Sequence, residues 1–221
     1  MQSLQTIQNR INAACARVGR DPQSVQLIGA SKTVEAARLE PYFAAGLHNF
    51  GENYVQEGIA KVEWFGERDL NAHWHFIGAL QSNKAREAVA HFELIHSLDR
   101  MSLAKELNKE AGKIGKVQRV LIQVNVGDEQ SKGGVDIKNL EELYQKTLAL
   151  ENLRVEGLMS LPPYEEDAEK MRPYHRKLRE LSVELGIGPQ LSMGMSRDFE
   201  VAIEEGATKI RIGTALFGAR G

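Results

Sequence analysis

Three short runs hold the residue types that could do chemistry. The first is SVQLIGASKT, Ser24 to Thr33, an apolar stretch that closes on a lysine. Val25, Leu27 and Gly29 alternate with Gln26, Ile28 and Ala30, the pattern of a parallel strand covered on both faces, and Lys32 then projects from its end. An amine there has two readings. Its stem can lie on apolar surface with the ammonium in water, or its pKa can be lowered so that it forms a Schiff base with a carbonyl. The second run is Gly194-Met195-Ser196, where a strand passes into a helix, so that backbone N–H groups and the Ser196 hydroxyl suit an anion. The third is Arg211-Ile212-Gly213-Thr214, in which Gly213 permits close backbone approach and Arg211 is a donor that stays charged. Taken singly, Ser196 reads equally as a helix cap and Arg211 as an ion-paired strand residue. Taken together they offer an amine for an aldehyde, a cradle for a phosphate and a guanidinium between.

These runs need elements to carry them, and the hydrophobic periodicity supplies a regular alternation. An amphipathic helix carries Leu4, Ile7, Ile11, Ala14 and Val18 on one stripe and ends at Gly19. Strands are then expected at about 24–32, 47–50, 73–78, 93–97, 119–126, 154–159, 190–193 and 209–212. The helices between them fall near 34–45, 54–65, 82 onward, 101–111, 136–150, 165–185 and 197–205. Thr33 is expected to cap the second helix, with Glu35 in its first turn, and Pro173 to mark a kink or a late start. Eight βα units without a linker favour parallel strands, right-handed crossovers and closure into a (β/α)8 TIM-type barrel. The chain opens on a helix and nearly ends on the eighth strand, so the N-terminal helix is expected to complete the outer ring. An open doubly wound sheet is the rival, and no G-x-G-x-x-G follows the first strand.

The 221 residues, 42% hydrophobic and 26% charged, suit a single domain over 1–221. A net charge of -2 gives no electrostatic case for nucleic acid or an anionic membrane. Cys15 is the one cysteine, which fits a reducing compartment, and the polar N-terminus shows no signal peptide, so a cytoplasmic protein is expected. The six histidines lack metal-ligand spacing; His73 and His75 share a strand face as packed or barrel-lining residues, and no metal site is expected. Trp64, Phe65, Trp74 and Phe76 read as helix–barrel packing.

In a barrel the chemistry gathers at the C-terminal strand ends, with phosphate held after strands seven and eight. Lys32, Ser196 and the Arg211 run all fall there, and the set suits pyridoxal 5'-phosphate, which has an aldehyde, a pyridine nitrogen and a phosphate. A guanidinium facing that nitrogen keeps it an unprotonated acceptor and makes the ring a poorer electron sink.

The runs ASKT (30–33), FGENYVQE (50–57), WHFIGALQSNK (74–84), SMGMSRDFEVAIEEG (192–206) and RIGTALFGAR (211–220) resemble the pyridoxal phosphate homeostasis protein family, the YggS/PROSC group. That resemblance implies the fold-type III barrel of alanine racemase. It implies that Lys32 carries the cofactor as a Schiff base and Arg211 meets the pyridine nitrogen. It also puts Ser196, Gly213 and Thr214 at the phosphate and Asn53 near the ring. Ser131-Lys132-Gly133-Gly134 departs from the family's usual Lys-x-Gly, and Lys132 is a second amine that could take the aldehyde transiently. The expected role is to hold, buffer or deliver the cofactor, PLP-dependent apo-enzymes being the partners, without vigorous catalysis. An amino-acid racemase is the alternative, and a Schiff-base aldolase on a phosphorylated sugar a third reading. The second domain through which alanine racemases pair is missing, which points to a monomer. Of the tyrosines, only Tyr54 is placed to approach the site as an opposite base.

Overall fold

The computed structural model describes residues 2–127, 133–163 and 165–218. Helix α1 (Gln2–Arg17) leads into β1 (Gln26–Ala30), and the alternation runs on through α2 (Ala36–Ala44), β2 (Asn49–Glu52), α3 (Val55–Gly66), β3 (His73–Phe76) and α4 (Ala85–His91). It continues with β4 (Leu94–Leu98), α5 (Met101–Lys113), β5 (Gln118–Asn125), β6 (Val135–Asp136), α6 (Ile137–Leu148) and β7 (Leu153–Ser160). Last come α7 (Arg172–Glu184), β8 (Gln190–Ser192), α8 (Phe199–Glu204), β9 (Lys209–Ile212) and the single turn α9 (Thr214–Phe217). The strands pair in parallel in the order β4-β3-β2-β1-β9-β8-β7-β5, and β4 pairs with β5, which closes an eight-stranded barrel. The two-residue β6 extends the top of β5, Val124 opposite Val135. No helix of the described residues is long and apolar enough to cross a membrane.

Alternation along each strand sorts side chains between two compartments. Outward-facing Leu27, Phe50, Trp74, Phe76, Ile95, Val120, Ile122, Leu158, Ile210 and Ile212 join the helices in the main core. Phe50 stacks on Trp74 at 5.2 Å and Phe65 of α3 meets Trp74 edge-on at 5.2 Å, the packing expected of these aromatics. Inside the barrel a smaller apolar cluster of Leu94, Leu121 and Met159 lies apart. Helix α1 buries Ile7, Ile11, Ala14 and Cys15 and spans the seam beside α8 and α9. Arg10 pairs with Glu200 and Arg17 with Glu204 across that seam. The first helix thus completes the outer ring.

Several element boundaries differ from the sequence expectation, each for a local reason. β1 stops at Ala30, and Lys32 and Thr33 form a turn. Thr33 does not cap α2: it sits at φ 64°, and Glu35 takes the cap position without a side-chain bond. The helix expected over 165–185 begins at Arg172, because Pro173 fits a first turn and not a helix interior; a 3-10 turn, Ala168–Met171, precedes it. A 3-10 turn over Ser82–Lys84 likewise delays α4.

One buried ion-pair cluster ties the outer ring to the end of β1. Lys61 of α3 donates to Glu52 Oε1 (2.8 Å), to Glu57 Oε1 (2.6 Å) and to the Ser31 carbonyl (2.6 Å), with its side chain only 5% exposed. Ser31 Oγ donates to Glu52, and Glu57 accepts the Thr33 N–H. Burial pushes the Glu52 carboxyl above its ordinary pKa, against the pull of Lys61 and Ser31. Lys61→Met leaves this carboxylate buried without its cation, an arrangement that costs about 3–5 kcal/mol. The deficit shrinks toward acid: a carboxyl whose folded pKa is raised favours the folded state below its unfolded value and loses that advantage as pH rises through the folded one. Urea unfolding of wild type and variant across pH 4–7 checks both parts; equal stability at pH 7 would show the pair to be dispensable.

Candidate functional site

Over the C-terminal ends of β1, β2, β8 and β9 lies a cavity of about 330 Å3, within the range of small-ligand sites. Lys32, Asn53, Ser196, Arg211, Gly213 and Thr214 all line it, so the structure brings together the six residues expected to hold a cofactor. Lys132 lies outside the described residues.

Each of these side chains is positioned by its element. Lys32, half-buried, sits in the turn that the Lys61 cluster grips on both sides: the Ser31 carbonyl before it is bound by Lys61, and the Thr33 N–H after it by Glu57. Asn53 follows β2 directly. A Cβ on Gly78, after β3, would fall 2.3 Å from the Asn53 carbonyl oxygen, so only glycine lets the two strand ends close this far. Arg211 points into the barrel from β9 and is 4% exposed. Its Nη1 donates to Ser192 Oγ (2.6 Å) and its Nη2 to the Ser160 carbonyl (2.8 Å). Burial draws its pKa down to about 10, with Asp198 pulling the other way, which leaves it charged at neutral pH.

Ser196 differs from expectation in its local role. The helix begins at Phe199, so Ser196 lies in the preceding turn and does not cap it; Asp198 holds the cap position. Asp198 Oδ1 accepts the Met195 N–H at 2.8 Å and Oδ2 meets His175 Nε2 at 2.7 Å, and these bonds shape the turn. Burial raises the Asp198 pKa, but the bonds and charges of His175, Met195 N–H and Arg211 outweigh it and hold the carboxyl below its ordinary value. Gly194 sits at φ +89°, where a Cβ would strike Ala202 and Phe199, so the tight passage from β8 to α8 demands glycine. Gly213 likewise lies close beneath Ala30: a Cβ there would come within 3.1 Å of the Ala30 carbonyl.

The lining also holds residues that sequence reasoning missed. Arg38 of α2 donates to the Phe217 carbonyl at 3.3 Å and adds a third cation. Ile77, Leu161, Met195 and Phe217 supply apolar walls. Arg38 gives no signal in the sequence, since it lies in the first turn of α2 among ordinary surface positions. Tyr54 is not among the lining residues and is 60% exposed. His75 is a barrel-lining residue, as expected, while His73 is exposed and bonded to Glu93.

Three cations and no carboxylate line the cavity among the described residues, although the chain as a whole carries a net charge of -2. The polar set is an amine, two guanidiniums, three hydroxyls and a carboxamide beside apolar walls. It suits a compact anion with an electrophilic carbon and a flat apolar body, and pyridoxal phosphate fits on every count.

Comparison with known proteins points the same way. The alanine racemase N-terminal domain family matches residues 2–221. The pyridoxal phosphate homeostasis protein of Aquifex aeolicus is 52% identical over 224 residues, 99% of this chain and 97% of that protein. PipY of Synechococcus elongatus, solved with PLP bound, is 39% identical with a TM-score of 0.84, covering 94% of this chain and 100% of PipY. Alanine racemase of Clostridium difficile has a TM-score of 0.74 at 14% identity over 100% of this chain and 57% of its own, a likeness of fold alone. The chain belongs to the pyridoxal phosphate homeostasis protein family, built on the alanine racemase N-terminal domain.

Proposed function

We propose that this protein binds pyridoxal 5'-phosphate in the cavity above the barrel and holds, buffers or delivers it within the cell, with no strong catalytic activity of its own. The observation that carries this reading is a lining whose charged groups, among the described residues, are all cations, Lys32 among them, in a chain 52% identical to a pyridoxal phosphate homeostasis protein. When bound, the cofactor brings an aldehyde that condenses with an amine, a ring nitrogen that accepts a hydrogen bond, and an anionic phosphate. Lys32 would supply the amine, and the grip of Lys61 and Glu57 on its turn keeps that amine aimed into the cavity. Arg211 would donate to the ring nitrogen and, being charged, keep it unprotonated. Ser196, Gly213 and Thr214 would receive the phosphate, and Asn53 would border the ring. In this reading the protein is a cytoplasmic monomer, one barrel domain over 1–221, with PLP-dependent apo-enzymes as its acceptors.

An absorption spectrum of the protein loaded with pyridoxal phosphate, followed by borohydride reduction and peptide mapping, tests the reading. The expected label is a pyridoxyl group on Lys32. Lys32→Ala loses it while unfolding within about 1 kcal/mol of wild type, because the turn is outside the packed core. A yellow, borohydride-reducible Lys32→Ala protein would move the amine elsewhere.

Arg211→Gln removes a charge-assisted hydrogen bond of about 1.5–3 kcal/mol, roughly a ten- to hundredfold loss of affinity. Titration of the cofactor into wild type and variant measures it, and matching affinities would exclude Arg211 from the site.

Racemisation needs a second base across the ring from Lys32, and Tyr54, the residue expected to serve, is turned to solvent. Losing one positioned acid–base group costs about 10²- to 10⁴-fold. Exchange of the alanine α-proton into deuterated water, followed by NMR, is therefore expected to stay far below the roughly 10 per second of an ordinary enzyme. Turnover at that rate would promote the racemase reading.

A further inference from the structure

A line of polar groups crosses the barrel interior beneath Arg211, where such folds ordinarily stack branched aliphatic side chains. Arg211 Nη1 lies 2.6 Å from Ser192 Oγ, which lies 2.9 Å from His96 Nδ1. His96 Nε2 is 3.1 Å from His75 Nδ1, and His75 Nε2 is 3.3 Å from Asn49 Oδ1. From the opposite end, Lys209 Nζ lies 2.8 Å from Gln26 Oε1, and Gln26 Nε2 lies 2.7 Å from the same Asn49 oxygen. His75, His96, Ser192, Lys209 and Arg211 are all buried.

The two ends fix every proton between them. An ammonium and a guanidinium donate and never accept. Lys209 therefore makes Gln26 Oε1 an acceptor, which turns the Gln26 NH2 toward Asn49 and makes Asn49 Oδ1 an acceptor as well. Neutral imidazoles then have one arrangement. His75 donates Nε2–H to Asn49 and accepts at Nδ1 from His96 Nε2–H. His96 accepts at Nδ1 from the Ser192 hydroxyl, and the Ser192 oxygen accepts from Arg211. Reversing the rings would set the His75 Nε2 lone pair against the Asn49 oxygen. Both rings are held neutral, His75 with a pKa near about 3 and His96 well below its ordinary value, first by burial and then by surrounding cations. Lys209 from β9 and Arg119 from β5 are the cations common to both rings, His75 and then Arg211 from β9 act further on His96, and His73 from β3 neighbours His75. The nearby carboxylates are engaged with two of these neighbours, Glu156 with Arg119 and Glu93 with His73.

We propose that His96 and His75 are positioning residues for Arg211: through Ser192 they fix the guanidinium at the cavity floor and aim every relay proton away from the cavity. The floor then offers a ligand an N–H from Arg211 and no proton to take up. This deepens the cofactor reading above and rests on it, because it names what keeps the ring nitrogen an acceptor. Delivering a proton to that nitrogen would require every link to reverse at once, and Lys209 and Gln26 oppose the reversal from below.

Long-range ¹H–¹⁵N spectra of the cofactor-free protein read the tautomers directly. Both rings are expected as neutral Nε2–H forms with shifts unchanged from about pH 5 to about 7.5, a window that spans the ordinary histidine pKa and stays below that of Lys209, which burial draws down to about 8. An Nδ1–H ring, or titration in that window, overturns the relay. His96→Gln and His96→Leu, with folding checked by circular dichroism, then test its effect on the site. Glutamine can accept from Ser192 and donate to His75, whereas leucine can do neither. Affinity for ring-¹⁵N pyridoxal phosphate is expected to fall on the order of tenfold in the leucine variant, the lower end of losses seen when outer partners of site residues are removed. The glutamine variant is expected to stay within about twofold. Equal affinity and an unmoved ring-¹⁵N shift in both variants overturn the positioning role. Wild-type protein that fails to bind the cofactor overturns the cofactor reading too, while the tautomers, measured without cofactor, distinguish that failure from failure of the relay.

Discussion

A guanidinium taken out of water must find partners for its N–H groups, and Arg211 finds them inside a closed barrel. Desolvating a charge costs several kcal/mol after relaxation, so the neighbours of such a group are constrained as firmly as the group itself. One partner is the carbonyl of Ser160, at the end of β7. The other is a hydroxyl on β8, which needs an acceptor of its own and finds it in His96 on β4. The polar character of the interior follows from that buried charge and from Lys209 at the far end of the same line. Leu94, Leu121 and Met159 form a small aliphatic cluster in the same interior. The lining above carries the same sign, since no carboxylate lines the cavity among the described residues.

The alternation of strands and helices was legible in the sequence because each strand's outward residues and each helix's stripe obey simple periods. So was the grouping of Lys32, Asn53, Ser196, Arg211, Gly213 and Thr214, since closure of a parallel barrel gathers all its C-terminal strand ends on one face. What escaped notice depends on which strand lies opposite which across the lumen. Nothing in the segments around His75, His96 and Ser192 announces that the three side chains touch, because their contact follows from closure and stagger. Glu57 and Lys61 illustrate a different limit. Four residues apart on a helix, they read as a surface pair worth a few tenths of a kcal/mol, yet Lys61 is buried and holds the turn that carries Lys32. Ser196 was misread as a cap because capping residues and turn residues are chemically alike.

The grip on the Lys32 turn and the relay beneath Arg211 are separate devices with a common effect. One fixes a backbone segment through carbonyl and N–H contacts, the other a side chain through a line of directional bonds. Together they leave the amine and the guanidinium few alternative placements, so a ligand that needs both need not order either on arrival.

The seam closed by α1 bears on how the molecule assembles. Arg10 and Glu200 are 190 residues apart in the chain, and Ser3 bonds to the Leu216 carbonyl across 213. β1 pairs with β9 over a similar span. An early segment of the chain thus docks against one made some 190 residues later. Until then the Ile7, Ile11 and Ala14 stripe has no cover. Contacts this distant in sequence slow folding, and waiting apolar surface invites association with other chains. A nascent chain therefore keeps an open barrel edge beside β1 until β9 has been made.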